Sequence, residues 1–483
     1  LNNVPFLQTG SFVPFDLQTV GTWATNGFVP DATTAIGQVQ FFLRPNGTYF
    51  TNITKASDIL PADMSSYTLT YYVDPVDGLD TNTGLSIAQA FKTLSKALTN
   101  AGANRIILYK PGCAFLGGST GGNPTCAASF IIAPWDGYDS GSRCTVENRI
   151  TTAGAYTETS PGSGIWTATT ASTAGYCVNA NYTATLADGA VVPIPYVPSS
   201  TSANCDANVH SCFISGTSVR INVGPGNNPN NVTWYVNGSN LRIDQAVNGV
   251  FIGVGFYGGS QGTGSATSTN TLKYYDCENR YGYPGVINYS TGAATTAASD
   301  GGAVWSSAGE TWWINSRCYM GPTDGLDYKT SRNFLEVNSN SIYHGIDAIH
   351  GGGTSVFGSC NASTGHGSKG IRVGGVYGQT GGRVVHDIKQ TNTGYIIVLG
   401  SRIFGSTGLT TDNVDLAIGG IASDGSQMWA YDVQLTSPDG NASTSTYRYG
   451  AQDANLYANV PCATSQLSLS GTGTVTFVPR GGS

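Results

Sequence analysis

Only 11% of this 483-residue chain is charged, so the places where charge gathers carry information. The stretch from 324 to 387 is one of them. It holds Asp324, Asp327, Glu336, Asp347, His350, His366, Arg372, Arg383, His386 and Asp387 and, with His344, four of the chain's five histidines. A protonated carboxyl beside an ionised one is the pairing that cleaves glycosidic bonds, one acting as acid and the other as base or nucleophile. On that chemistry Asp324, Asp327 and Asp347 are the candidate catalytic carboxylates, with His366 as the candidate imidazole. Glu336, His350, Arg372, Arg383, His386 and Asp387 would tune them or orient a sugar. A lyase would use Lys329, Arg372 or Arg383 to neutralise a uronate and assist proton abstraction. Hydrolysis is preferred, and the residue types leave both open.

Each residue also has a plainer reading. Asp324 and Asp347 stand near glycines, where an Asp side chain commonly caps backbone N–H groups of a turn. His344 follows an aromatic residue and reads as structural. Trp312 and Trp313, with Trp305, Tyr274 and Tyr275, offer flat apolar faces to sugar rings, but the same residues serve coil packing and subunit contacts equally well. Asp74, Asp77 and Asp80 lack the Gly and distal Glu of a calcium loop and read as a capping loop. No metal site and no cofactor are expected. No nucleophile elbow, phosphate loop or dinucleotide fingerprint is present.

Residues spread this far along a chain meet only if the backbone returns at regular intervals. From 241 onward it has the means. A short β run ending in an aromatic residue with Gly close behind recurs at Tyr257, Tyr281, Tyr319, Tyr343, Tyr377 and Phe404, at intervals of 24, 38, 24, 34 and 27 residues. A solenoid coil of about 24 residues with loops of variable length produces such a set. Counted from these markers, Asp324 stands at +5, Asp327 at +8, Asp347 at +4, His350 at +7, Arg383 at +6, His386 at +9, Asp387 at +10 and Asp412 at +8. Rungs of a parallel solenoid lie about 4.8 Å apart, so adjacent coils would bring carboxylates to about 5 Å and alternate coils to about 10 Å. Those distances span the two geometries of glycoside hydrolysis.

Composition narrows the class. Gly counts 65 residues and the net charge is -7, with 40% apolar and 11% aromatic residues. A nucleic-acid partner needs a basic surface, and no basic run exists. Disorder goes with low hydrophobicity. No apolar stretch is long enough to insert in a membrane. Abundant Gly, Ser, Thr, Asn, Val and Tyr fits strands joined by tight turns. Eight glycosylation sequons occur where composition predicts about seven, so they carry no information. The ten cysteines are too sparse for a disulfide scaffold, although Cys205 with Cys212 and Cys113 with Cys126 are close enough for local bridges. The sequence opens at Leu1 without a signal-peptide pattern, which fits a processed start or one lying further upstream.

Five regions follow: an N-terminal arm or small β module over 1–68, a strand-helix-strand entry over 69–110, early coils with an inserted antiparallel β-subdomain over 111–240, the main solenoid over 241–455, and a C-terminal β cap over 456–483. In the entry, Ser86 with Gln89 has capping-box form. Ile87, Ala90, Phe91, Leu94, Ala97 and Leu98 then make the stripe of an amphipathic helix ending at Asn100 and Gly102, the one convincing helix in the chain.

Tyr72-Val73-Asp74, the Gly78/Asp80/Asn82/Gly84 loop, Ala90-Phe91, Thr93-Leu94 and Ala97-Leu98 resemble the entry to pectate-lyase-like right-handed parallel β-helices. The version here is most similar to phage tailspikes and polysaccharide depolymerases. The resemblance implies an all-β right-handed parallel β-helix whose first helix caps the open end. Asp324-Gly325-Leu326-Asp327-Tyr328, Glu336-Val337-Asn338 and Ser363-Thr364-Gly365-His366 resemble elements that face a common groove in those proteins. Gly367 stands where an Asp usually follows the histidine, a departure that weakens the transfer of catalytic roles. The resemblance further implies a homotrimer, extracellular or on a virion tail or baseplate, binding and cleaving a bacterial surface polysaccharide (capsule, lipopolysaccharide or exopolysaccharide). The rival is a non-enzymatic tail fibre or adhesin that uses the same coil as a rod.

Overall fold

A computed structural model describes residues 13–14, 39–43, 48–100, 102–116, 128–152, 154–172, 175–199, 201–235, 247–258, 261–263, 270–281, 287–288, 293–294, 304–306, 309–321, 325–328, 333–342, 344, 359–366, 368–379, 381–382, 384–391, 394–404, 407–408, 413–419, 427–436, 447–452 and 454–477. Among these residues, three long sheets of twelve, nine and eight strands hold their strands in chain order, with parallel pairing. Each complete coil among the described residues gives one strand to each sheet. Glu310–Ile314, Arg317–Tyr319 and Leu326–Tyr328 make one coil, and Asn333–Val337, Asn340–Ile342 and Ser359–His366 the next. Lys369–Val373, Val376–Gly378 and Val384–Thr391 follow. The chain is a parallel β-helix.

Side chains alternate across each strand, so one residue in two enters the coil. Phe251, Phe256, Leu326, Tyr328, Ile388 and Ile403, drawn from all three sheets, share one buried cluster. Register then stacks like on like. Phe251, Tyr274 and Trp313 are successive partners down one column, with ring centroids 4.9 Å apart at each step.

The corner between the twelve- and nine-stranded sheets gives Gly, Asn and Asp one recurring use. In successive coils it is turned by Gly253, Asp276, Asn315, Asn338, Gly374, Gly400 and Asp432, all with φ between +47° and +66°. Only Gly, Asn and Asp visit this left-handed region readily. Six of these corner N–H groups bond the last carbonyl of the next strand, as Asn315 does to Val337 O at 2.8 Å and Asn338 to Val373 O at 2.8 Å, and that of Asp432 donates to Asn459 Oδ1 at 2.7 Å. A β-branched residue has no such tolerance, so Asn338→Val is expected to lower stability by about 1–2 kcal/mol and Asn338→Gly to leave it nearly unchanged. Chemical unfolding of the two variants checks this.

The true coil spacing differs from that of the aromatic markers. Strand partners run Tyr257, Arg280, Tyr319, Ile342, Gly378 and Phe404. Tyr281 lies one residue past its rung, with φ +60°, and Tyr377 one residue before. Tyr281 belongs to a second corner, whereas Tyr377 points into the coil, so aromatic side chains mark two different positions. Offsets counted from the markers therefore do not give register in the eight-stranded sheet.

The entry is also less helical than its pattern predicts. Ile87–Gln89 is a short 3-10 turn and the α-helix spans only Leu94–Thr99. Between them Phe91 is extended, because its N–H bonds Tyr72 O at 2.9 Å and its carbonyl takes the Asp74 N–H at 2.8 Å. The helix cap is Thr93, which accepts the Lys96 N–H, and not Ser86. Leu94, Ala97 and Leu98 join the interior cluster. A second helix, Ser202–Ala207, is capped by Thr201 and adds to the one expected. Asp74 accepts the N–H groups of Val76 and Asp77, and Lys110 Nζ lies 2.8 Å from both carboxylates.

Two small sheets interrupt the coil between Cys144–Glu147 and Gly249–Ile252. One has four strands (Arg149–Ile150, Tyr176–Thr185, Val191–Pro195, Val232–Tyr235). The other has five (Thr157–Glu158, Ile165–Thr169, Val197–Pro198, Ser211–Ser215, Ser218–Asn222). Val178, Leu186, Val192 and Ile194 lie against Tyr281, Tyr319, Met320 and Ile342 on the outer side of the nine-stranded sheet. The hairpin tip is pinned there: Asn340 Nδ2 donates to Asp188 at 2.7 Å and the Ala187 N–H to Gln379 Oε1 at 2.8 Å. Residues 39–43 and 48–60 run along the outer side of the twelve-stranded sheet, with Phe41, Tyr49, Ile53 and Ile59 in its apolar cluster. Leu467–Ser470 and Thr474–Phe477 add further parallel rungs, so 467–477 continues the coil.

Candidate functional site

The charged residues of the 324–387 stretch divide between the inside and the outside of the coil. Glu336 and Arg372 are partners on adjacent strands, directly below Trp313 in the interior column. Both are fully buried, and Arg372 Nε lies 3.2 Å from Glu336 Oε1. Ser363 Oγ donates to Glu336 Oε1 at 2.8 Å and accepts from Arg372 Nη2 at 2.6 Å. Tyr377 donates its hydroxyl to Glu336 Oε2 at 2.6 Å. The guanidinium lies 4.6 Å from the Phe334 ring centroid, and that ring stacks on Tyr328 at 4.2 Å. Gly370 makes room for it, since a Cβ there would sit 1.8 Å from Phe334 Cζ. Burial raises the Tyr328 and Tyr377 phenols well above their ordinary range, so both stay neutral donors.

These contacts correct four expectations. Glu336, Arg372 and Trp313 lie in the interior column between the three sheets and face away from any polysaccharide bound outside the coil. Trp312 faces outward but is also buried: Lys273 Nζ stands 4.1 Å over its ring and donates to Ile59 O in the N-terminal segment at 3.2 Å. It packs rather than presenting a sugar platform.

A second set lies on the eight-stranded sheet. Asp327 is the middle residue of Leu326–Tyr328, whose flanking side chains point inward, and its partner on the next coil is Thr364. Thr364 in turn pairs with Lys389. His366 is two positions beyond Thr364 and Asp387 two before Lys389, so Asp327, His366 and Asp387 occupy positions of one parity on three consecutive rungs. His386 is on the other parity, paired with Asn361 and Val414. Asp327 itself is fully buried. Asp324, Asp347, His350 and Arg383 lie outside the described residues.

The connections around this row are the variable ones. The corner between the twelve- and nine-stranded sheets is two residues long in each of these coils, but the chain takes 6 residues from Tyr319 to Leu326 and 16 from Ile342 to Ser359. Sequence reasoning did not find Thr364 and Lys389, because only register places them beside Asp327. It also missed an open groove of about 330 Å³ at the corner, lined by Thr54, Tyr138, Asp139, Tyr275, Asp276 and Asn315. Its carboxylates are already held: Ser57 donates N–H and Oγ–H to Asp139 at 2.8 Å, and Arg143 Nε donates to Asp276 at 2.9 Å.

His344 is structural. It is fully buried, its Nδ1 accepts the Gly321 N–H at 2.9 Å, and its Nε2 lies 3.0 Å from Ser341 Oγ. Burial lowers its pKa to about 3. The unfolded chain, with an ordinary value near 6.5, then binds the extra proton between those limits. Stability is complete above about pH 6.5 and falls toward pH 3, by on the order of 4 kcal/mol from this group. His344→Gln is expected to flatten that part of the pH profile of unfolding; an unchanged slope would show that the imidazole does not titrate there.

Comparison with solved structures shows similarity along most of the chain. The complex of XylC with xylose is 9% identical over 83% of this chain and 70% of that one, with a TM-score of 0.44. Pectate lyase Pel9A is 14% identical over 88% and 79%, with a TM-score of 0.34. The GH136 lacto-N-biosidase from Eubacterium ramulus is 9% identical over 85% and 68%, with a TM-score of 0.21. No family model matches the sequence, and no curated protein does.

Proposed function

We propose that this β-helix binds a bacterial surface polysaccharide and cleaves it by hydrolysis on the outer side of the eight-stranded sheet, as a tailspike-type depolymerase acting as a homotrimer on a virion tail. The observation that carries the reading is the placement of Asp327, His366 and Asp387 on one parity of three successive rungs, beside the 16-residue connection from Ile342 to Ser359, in a chain with few charges elsewhere. Variable loops on a rigid scaffold are where binding residues concentrate. Strand spacing and rise put the Cα atoms of Asp327 and Asp387 about 12 Å apart, beyond the roughly 6.5–9.5 Å between the carboxyls of an inverting pair, so Asp387 orients the sugar and another carboxylate partners Asp327. Asp324 and Asp347 are the other carboxylates from which a partner for Asp327 would come, and His350 and Arg383 the other sugar-orienting groups.

Incubation with a panel of bacterial capsular, lipopolysaccharide and exopolysaccharide glycans tests this. Shortened chains with new reducing ends and no new ultraviolet absorbance are expected. Shortening accompanied by absorbance from unsaturated products would make the protein a lyase. Binding without shortening would leave it an adhesin or fibre, and the hydrolytic reading would be lost.

A further inference from the structure

The cysteines are not distributed as isolated core residues. Cys113 immediately precedes Ala114–Leu116 and Cys144 opens Cys144–Glu147, two adjacent parallel strands in which Ala114 pairs with Thr145. The Cys113 carbonyl accepts the Thr145 N–H at 2.9 Å, and the Gly112 N–H bonds Arg143 O at 2.7 Å, so the two cysteines face each other across one rung. Neighbouring strands are about 4.8 Å apart, within the Cα range of about 4.4–6.8 Å that a disulfide spans. Both side chains are buried in the interior cluster.

The inserted unit holds a second pair. Cys177 is on its four-stranded sheet and Cys212 on its five-stranded sheet, both fully buried in one cluster with Tyr196, Val219, Ile221 and Trp234. The segment 196–199 is hydrogen-bonded to both, since the Tyr196 N–H donates to Cys177 O at 2.9 Å and the Ser199 N–H to Cys212 O at 2.6 Å. In each pair burial first, and then the neighbouring thiol, pushes the pKa of Cys144 and of Cys177 up. Cys205 lies nearby, but its Sγ is directed at Ser211 O and Arg220 O, 3.5 and 3.7 Å away.

We propose that Cys113 with Cys144, and Cys177 with Cys212, are joined as cystines when the chain folds under oxidising conditions, the second bond stapling the two inserted sheets together. With oxidised glutathione as oxidant, one thiolate attacks its disulfide and releases one reduced glutathione. The partner thiol then attacks the mixed disulfide and releases the second, so each cystine formed yields two reduced glutathiones. Burial raises the Cys144 and Cys177 thiols well above their ordinary range and keeps the attacking thiolate scarce once the core has closed. The bonds therefore form before burial is complete.

The test is to refold reduced full-length protein with oxidised glutathione, quench in acid, unfold, alkylate without reductant and map peptides by mass spectrometry. Four of the ten cysteines are expected to escape alkylation, in two linked peptides joining 113 to 144 and 177 to 212. Ten alkylated cysteines, or links joining Cys205 to Cys212 or Cys113 to Cys126, would overturn the assignment. The map uses wild-type protein and does not depend on a variant folding. In oxidising buffer the double variant Cys177→Ser, Cys212→Ser should melt several degrees lower than oxidised wild type and above reduced wild type, which lacks the 113–144 bond as well. An unchanged melting temperature in oxidising buffer would overturn the stapling role.

Discussion

Asp327→Asn is expected to reduce the rate of polysaccharide cleavage by about 10²–10⁴-fold, the range carried by a carboxyl that transfers a proton to or from the reacting bond. Asn keeps the shape of the side chain and removes its ability to hold or release that proton. Because Asp327 is fully buried in the free protein, the variant needs a second readout that a packing defect would also move. Its melting temperature and its affinity for uncleaved glycan should stay close to wild type while turnover falls. Parallel loss of affinity and stability would make Asp327 a structural residue. Asp387→Asn and His366→Ala, on the same parity of the next two rungs, should each lower turnover less steeply. If all three cleave at the wild-type rate, the row is not the site.

Arg372→Met should produce the largest loss of stability. It leaves the Glu336 carboxyl inside the coil with hydroxyl partners such as Ser363 and Tyr377 and without its counter-ion. Breaking a buried pair by removing one member costs about 3–5 kcal/mol, because the remaining charge keeps its desolvation penalty without its counter-ion. Removing both is a different experiment. Glu336→Leu combined with Arg372→Met continues the apolar column formed by Trp313 above and Val398 below, and should recover most of that loss. Chemical unfolding of the two variants measures the difference. A double variant no more stable than the single one would mean that the Ser363 and Tyr377 hydroxyls, left without partners, outweigh the ions.

These two residue sets show what was legible in the sequence. The coil was legible because stacking imposes recurrence: similar side chains and left-handed corners must reappear once per turn, as Asp276, Asn315 and Asn338 do. The inside and outside of the coil were not. Glu336 and Asp327 are both acidic residues in short β runs, and strand parity alone separates an ion pair beneath Trp313 from an outward carboxylate. Parity could not be counted from Tyr281 and Tyr377, because one turns a corner and the other enters the core. Trp312 and Trp313 make the same point within one strand: neighbours in sequence, they lie on opposite faces, and both are packed. The entry helix was misjudged in length because Phe91 bonds to the strand at 69–73, a partner that helical periodicity does not register.

The central claim is that a glycan is cleaved along the eight-stranded sheet, across the rungs of Asp327, His366 and Asp387. The most direct measurement is a crystal structure of the Asp327→Asn protein soaked with an oligosaccharide from the glycan it shortens. The sugar chain should lie over the eight-stranded sheet with a glycosidic oxygen within hydrogen-bond reach of residue 327. A sugar bound instead in the corner groove of Tyr138 and Tyr275, with the eight-stranded sheet empty, would contradict it.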